Sequence, residues 1–230
     1  MFKQEFEIEI LDDNFKEKLF NYFQEVEKKI QKPGIGEIIF HIVYELINNA
    51  IKANLKRIFF LKKGYSFDNQ EEYHKGLIEF RKSYQYLFKN KNGNEHKGLI
   101  NKKEWLEALK DLGLKVRLVI DVDHNRILIY VINNTKMLPE EEKRLRESLS
   151  HAMKSKDLMD FIINYGQIDE EGEGLGLPLV ILLIKDAGFK PDYFRVYKDE
   201  KNTIARIEFP LTENYIPIRE RWQKNNYSNL

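Results

Sequence analysis

The chain has 230 residues, 42% of them hydrophobic, enough for one sizeable α/β domain with its own core, which excludes wholesale disorder. Its 38 basic and 37 acidic residues leave a net charge of +1, so no global field draws nucleic acid or anionic lipid, and any basic site must be local. There is no cysteine, which removes disulfides, thiolate metal sites and a cysteine nucleophile.

The amino terminus, M-F-K-Q-E-F-E-I-E-I, alternates charge with bulk where a signal peptide needs an unbroken apolar stretch. Residues 5 to 11 set Glu5, Glu7 and Glu9 against Phe6, Ile8 and Ile10, the pattern of a half-buried strand. A charged helix follows from about Asn14 to Gln31, and Pro33-Gly34 ends it. From Ile35 onward, Ile38, Ile39, Ile42, Val43, Leu46, Ile47, Ala50 and Ile51 trace one stripe at helical spacing. Residues 57–113 change texture, becoming aromatic and basic, with helical stretches near Glu71 to Phe88 and Lys102 to Leu112 around the loop K-N-K-N-G-N. This segment reads as a helical insertion within a single domain spanning 1–230.

Beyond it, V-R-L-V-I-D-V and R-I-L-I-Y-V-I bracket the polar turn Asp123-His124-Asn125, a hairpin signal. Pro139 and a run of glutamates open a charged helix, and a second helical piece ends near Tyr165-Gly166. The acidic segment Gln167 to Glu173 reads as a mobile loop leading into G-E-G-L-G-L and a helix from Pro178 to Ala187. The longest apolar run, Leu179 to Ile184, is too short to cross a bilayer, so a soluble cytoplasmic protein without membrane contact is expected. Two last β-rich runs, Tyr193 to Tyr197 and Thr203 to Phe209, flank the turn Lys198 to Asn202, and residues 213–230 form a peripheral tail.

Two short words carry chemistry. In E-L-I-N-N-A-I-K, Glu45, Asn49 and Lys52 stand at i, i+4 and i+7 and so project from one helix face, with His41 one turn earlier. An amide oxygen at Asn49 suits Mg²⁺, which takes hard oxygen donors and shares them with water and phosphate. Glu45 is placed to orient or deprotonate a hydroxyl or water attacking a terminal phosphate, and Lys52 to neutralise phosphate charge. The competing reading is the solvated face of an amphipathic helix, weakened by the shortness of the polar run and the isoleucine content around it. His41 reads as a packed or partly exposed histidine with no role.

In the second word, Gly172, Gly174 and Gly176 permit close backbone approach, so that consecutive N–H groups converge on a phosphate oxygen where a helix starts. Leu175 and Leu177 then pack beneath the loop, and Pro178 suits the first helical turn. Glycines at this spacing also make plain turns, so the second word gains its meaning from the first.

Taken together, these words resemble the histidine-kinase-like ATPase superfamily, which includes gyrase B, the heat-shock-90 chaperones, MutL, sensor histidine kinases and anti-sigma-factor kinases. The resemblance covers the E-L-x-x-N-A-x-K helix, the hairpin at 115–132, the G-x-G-L-G-L turn and N-T-I-A-R-I-E-F-P-L, which looks like the family's closing strand. It implies an α+β fold, a two-layer sandwich of the Bergerat ATP-binding type, with a mixed sheet covered on one face by helices. It also implies ATP or another purine nucleotide with Mg²⁺, Asn49 as metal ligand, Glu45 as base, Lys52 as a phosphate contact, the glycines as hinge and cradle of a lid, and Thr203 near the phosphates.

Three departures qualify the resemblance. Where the family has D-x-G-x-G, with the aspartate contacting adenine, this chain has Asn133-Asn134-Thr135-Lys136-Met137. An amide can both accept and donate, so Asn133 leaves adenine and guanine both open, and strand-ending turn chemistry is an equal reading of the two asparagines. Only roughly thirty residues precede the key helix, and none of the five histidines sits in a two-helix phosphoacceptor arrangement, which argues against autonomous histidine autokinase activity. The third departure is the insertion itself.

Three functions compete on these grounds. One is an enzyme that hydrolyses ATP slowly or transfers phosphoryl to a protein partner. Another is a catalytically inactive nucleotide-sensing module that regulates a partner docked on 57–113. The last is an interaction scaffold without ligand. Aromatics among lysines in the insertion fit the core and solvated face of a helical bundle better than a nucleic-acid surface, and a homodimer stays open.

Overall fold

Alternation along the first residues builds β1, Phe2–Ile8, whose Phe6 packs edge-on against Phe15 and Tyr22. These rings belong to α1, Asp13–Ile30, in a computed structural model that describes residues 1–89, 100–165 and 176–227. The strand starts and stops three residues earlier than the alternation suggests, because Asp12 caps α1 by accepting from Phe15 N at 2.7 Å and commits the chain to a helix.

The next helix, α2, runs over Ile35–Lys63. Glu27 of α1 accepts from Gly36 N at 2.8 Å, setting an anion at the positive end of α2. A Cβ on Gly36 would lie 2.6 Å from Phe23 O, so the α1–α2 crossing needs a glycine there. At the far end Gly64 adopts φ 70°, Gly64 N reaches Leu61 O and Tyr65 N reaches Phe60 O, a Schellman closure. Position 57 therefore falls inside a continuous helix, and the insertion begins in space only after Lys63.

Two further helices, α3 (Gln70–Lys89) and α4 (Lys102–Asp111), pack on α2. Phe59 and Phe60 from α2, Phe80 from α3 and Trp105 from α4 are all nearly inaccessible and make one aromatic cluster. Each such side chain contributes on the order of 1.5–3 kcal/mol by leaving water. The inserted helices thus share the core of the rest of the chain rather than standing apart.

The hairpin β2 (Val116–Val122) and β3 (Arg126–Asn133) closes where Asp123 Oδ1 accepts from Asn125 N and Arg126 N at 2.7 and 2.9 Å. After α5 (Pro139–Lys154), α6 (Leu158–Tyr165), α7 (Gly176–Asp186) and a 3₁₀ turn at Pro191–Tyr193 come β4 (Phe194–Lys198) and β5 (Thr203–Pro210). The sheet order is β1-β2-β3-β5-β4.

Every neighbouring pair in this sheet is antiparallel, which corrects the expectation of a mixed sheet. The physical reason lies in the long crossover after β3. It returns β4 in the direction of β3, but the β4–β5 hairpin folds β5 back into the gap, so the two like-directed strands never touch. The result is an α+β protein with a five-stranded antiparallel sheet and helices layered on it, α2 lying against β2 and β3 with α1 and α7 beside it.

The segment after Thr212 is tied down at one point. Glu208, 1% exposed on β5, accepts from Tyr215 Oη and from Ile218 N, the first residue of α8 (Ile218–Tyr227), and pairs with Arg206. Among the described residues no helix is long and apolar enough to cross a membrane.

Candidate functional site

Alternation along β3 sets Ile127, Ile129, Val131 and Asn133 on the face that meets the helices. Asn133 is thus a polar residue at a core position, 4% exposed. Its Nδ2 donates to Ala50 O on α2 at 3.1 Å, and its Oδ1 is buried without a hydrogen-bond partner. An orphaned buried acceptor costs about 1–3 kcal/mol, which a ligand donor would recover.

That oxygen belongs to a residue lining a cavity of about 490 Å³. The cavity lies between α2 and α5, with the ends of β3 and β5 and the start of α7 forming its base, and α3 adds Tyr73 and Phe80. Asn49, Lys52, Leu177 and Thr203 line it as well, so five of the residues singled out in the sequence converge on one space. Volumes of this order suit small-molecule and cofactor sites.

At the α7 end stands the contact between the two sequence words. Asn49 Nδ2 donates to Glu45 Oε1 at 3.0 Å, which turns the amide oxygen of Asn49 the other way. A Cβ added to Gly176 would lie 2.2 Å from Glu45 Oε1 and 3.0 and 3.1 Å from the two amide atoms of Asn49. Gly176 is the first residue of α7, so a side chain at the helix start would press on Glu45 and Asn49, and glycine leaves both where they stand. Burial pushes the Glu45 carboxyl above its ordinary range, against the pull of the Asn49 hydrogen bond and the Lys52 charge. A carboxyl poised in this way suits a general base.

Gly172, Gly174 and Leu175 lie outside the described residues. Thr203 is paired with Asn133 in the β3–β5 ladder and donates from Oγ1 to Thr135 O at 2.8 Å, so it stands beside Asn133 on the cavity that Asn49 also lines. Asn134 does what turn chemistry asks: its Oδ1 accepts from Lys115 N at 2.9 Å and its Nδ2 donates to Gly113 O at 2.6 Å. Asn133 does not share that role. His41 is exposed and 3.8 Å from Glu37.

Sequence reasoning missed a second group on the same cavity. Lys56 and Arg57 of α2 meet Glu141 of α5 at 2.6 and 2.9 Å, all three side chains being 14–16% exposed. Arg57 also reaches Lys136 O at 2.6 Å, and Glu141 accepts from Leu138 N at 2.9 Å, so the triad pins the turn after Asn133 to both helices. Burial alone would raise the Glu141 carboxyl, but Lys56 and Arg57 together with the Leu138 N–H hold it below its ordinary value. Lys56 was within reach of the sequence, since it continues the Asn49, Lys52 face by one more turn. Behind it, Thr135 Oγ1 donates to the buried Asn54 Oδ1 at 3.0 Å.

For a metal, the only expected ligand is the Asn49 oxygen. Among the described residues no group of three or more histidine, aspartate or glutamate side chains converges to hold an ion. A single amide donor fits Mg²⁺ where phosphate oxygens and waters complete the shell. The orphaned Asn133 acceptor and the Gly176 cradle are likewise the features a bound nucleotide needs.

A protein of Treponema pallidum (strain Nichols), itself described as uncharacterized, is 30% identical over 181 residues, 79% of this chain. The chain spans about a third, 32%, of the length of that relative. No family model matches the chain, and no solved structure matches it.

Proposed function

We propose that the chain is a purine-nucleotide-binding domain of the histidine-kinase-like ATPase superfamily, with a Bergerat-type fold, that takes ATP with Mg²⁺ and uses Glu45 as base for slow hydrolysis or for phosphoryl transfer to a protein partner. The observation that carries this reading is the close approach of Gly176 to Glu45 and Asn49, residues more than a hundred positions apart in the chain, at the edge of a cavity of about 490 Å³. A carboxylate and an amide one helical turn apart against a glycine helix start are the parts a triphosphate needs.

Base preference follows from the bonding of Asn133. One N–H of its amide is committed to Ala50 O and its oxygen has no partner, so the oxygen is the group that lacks a donor. An acceptor there favours the exocyclic amine of adenine and repels the guanine O6. The amide thereby supplies what a carboxylate would, and ATP is the preferred nucleotide.

Calorimetric titration with ATP, ADP and GTP, each with and without Mg²⁺, tests the reading. Tight, Mg²⁺-dependent uptake of ATP over GTP is the expected result. A ligand present at a hundredfold its Kd adds about 2.7 kcal/mol to the folded state, so absence of both binding heat and a melting shift with every purine nucleotide would overturn it. Glu45→Ala then separates the two forms of the proposal: loss of phosphate release with binding retained assigns catalysis to Glu45, whereas equal turnover in both proteins removes it from the role.

A further inference from the structure

The inserted helix α3 reaches the first sequence word at one residue. Tyr84 donates from its hydroxyl to Asn48 Oδ1 at 3.1 Å, and the Lys52 ammonium sits 5.2 Å from the centroid of its ring. Asn48 and Lys52 are one helical turn apart on α2, so Tyr84 spans that turn and holds it at both ends. The ring is not free to wander. Phe80, one turn earlier on α3, is buried against Phe59 and Trp105, and the fully buried Ser83 accepts from Ile100 N at 3.3 Å.

From this juxtaposition we infer that Tyr84 is a positioning residue for Lys52, through which the insertion sets the affinity of the cavity for the anionic part of its ligand. The inference rests on the nucleotide reading above and adds to it a residue that lies in neither sequence word. A lysine side chain has many rotamers open to it, and a cation resting on an aromatic face surrenders part of that freedom before ligand arrives. Lys52 lines the cavity alongside Asn49, and its charge already reaches Glu45, so its position bears on the reacting end of the ligand. The ring supplies the cation–π contact and is held chiefly by the packing of α3 on α2, the hydroxyl adding a smaller part.

Titration of ATP and of adenosine into wild type, Tyr84→Phe, Tyr84→Met, Lys52→Met and the Lys52→Met/Tyr84→Met double variant tests the inference. Tyr84→Met, which keeps apolar bulk without a ring, is expected to bind ATP about three- to tenfold more weakly while adenosine affinity stays unchanged. Tyr84→Phe keeps the ring and stays within about twofold of wild type. In the Lys52→Met background the Tyr84→Met change has no further effect. Equal losses for ATP and adenosine, no loss for either, or full additivity with Lys52→Met would each overturn the positioning role while leaving the nucleotide site standing. Wild-type protein that takes up neither ligand would overturn the nucleotide reading, and the inference with it.

Discussion

Gly176→Ala is a small perturbation with an asymmetric consequence. The added methyl would sit 2.2 Å from Glu45 Oε1, and ordinary contact begins at 3.4 Å, so the carboxylate must retreat by about 1.2 Å. Glu45 is the flexible partner and can rotate away, but in doing so it gives up the 3.0 Å bond from Asn49. A hydrogen bond to a charged group is worth about 1.5–3 kcal/mol, and with Glu45 and Asn49 only partly buried the loss is nearer 1–2 kcal/mol. Alanine's helix preference over glycine returns up to about 1 kcal/mol, and less at the first residue of a helix. The net cost is therefore about 1 kcal/mol, a fall in Tm of about 2–4 °C. Catalysis fares worse, because a 1 Å misplacement of a reacting group costs about a hundredfold. Thermal melts and phosphate release at saturating ATP measure the two effects side by side. In a Glu45→Ala background, where no carboxylate remains to displace, Gly176→Ala is expected to leave turnover where it is and to raise Tm. Full turnover in Gly176→Ala, or an equal fall in the Glu45→Ala background, would refute the reasoning.

Glu45→Gln is expected to raise Tm at pH 7. Its folded carboxyl is held above the ordinary 4.5 by burial, so ionisation opposes folding; that penalty is absent below pH 4.5 and is incurred as pH rises through the folded value, and melts across pH 4–8 check that the gain vanishes at the acid end. Glu141→Gln has the opposite sign. Its carboxyl is held low, so its stabilisation is present above pH 4.5 and fades as pH falls through the folded value. Because the variant leaves Lys56 and Arg57 largely buried without their partner, it should lose about 2–4 kcal/mol in neutral denaturant melts, a difference that narrows in acid. Asn133→Asp restores the residue that the resembling family carries, yet it sets an acceptor against Ala50 O where a donor now stands; a loss of about 2–3 kcal/mol by the same melts is expected. Asn133→Ala should abolish discrimination between ATP and GTP in competition titrations.

Much of the fold was legible because it is local. Period-two runs ending at Asp123 and resuming at Arg126 announce the hairpin that the Asp123 side chain then builds. The strand directions were not legible, since they follow from β5 entering between β3 and β4, a choice made by sheet packing rather than by any residue's preference. The boundary at 57 misled for a related reason. Ile58, Phe59 and Phe60 are buried in succession, because α3 and α4 cover the far side of α2, and a helix buried all round loses the one-sided stripe that periodicity detects.

The site divides along the same line. Glu45, Asn49 and Lys52 share a face because helical spacing puts them there, whereas Arg57 and Glu141 are 84 positions apart and carry no shared motif. Asn133 stood in between: an alternating run of Ile127, Ile129 and Val131 predicts that the next residue of the series faces inward, and a polar side chain at such a place calls for a partner.

Set against the D-x-G-x-G pattern that the resemblance would lead one to expect, the side chains at 133, 135 and 137 are each engaged. Asn133 gives one N–H to Ala50 O; the Thr135 hydroxyl donates to Asn54, while its backbone carbonyl accepts from Thr203; Met137 lines the cavity. A half-buried hydroxyl set against the buried Asn54 amide, beside an Asn133 that is itself bonded to α2, shows side chains chosen to fit one another. Asn133, Thr135 and Met137 therefore form a coupled set in which α2 supports position 133. On that account Asn133→Asp made alone fails, because the carboxylate meets the Ala50 carbonyl, a surface that receives a donor.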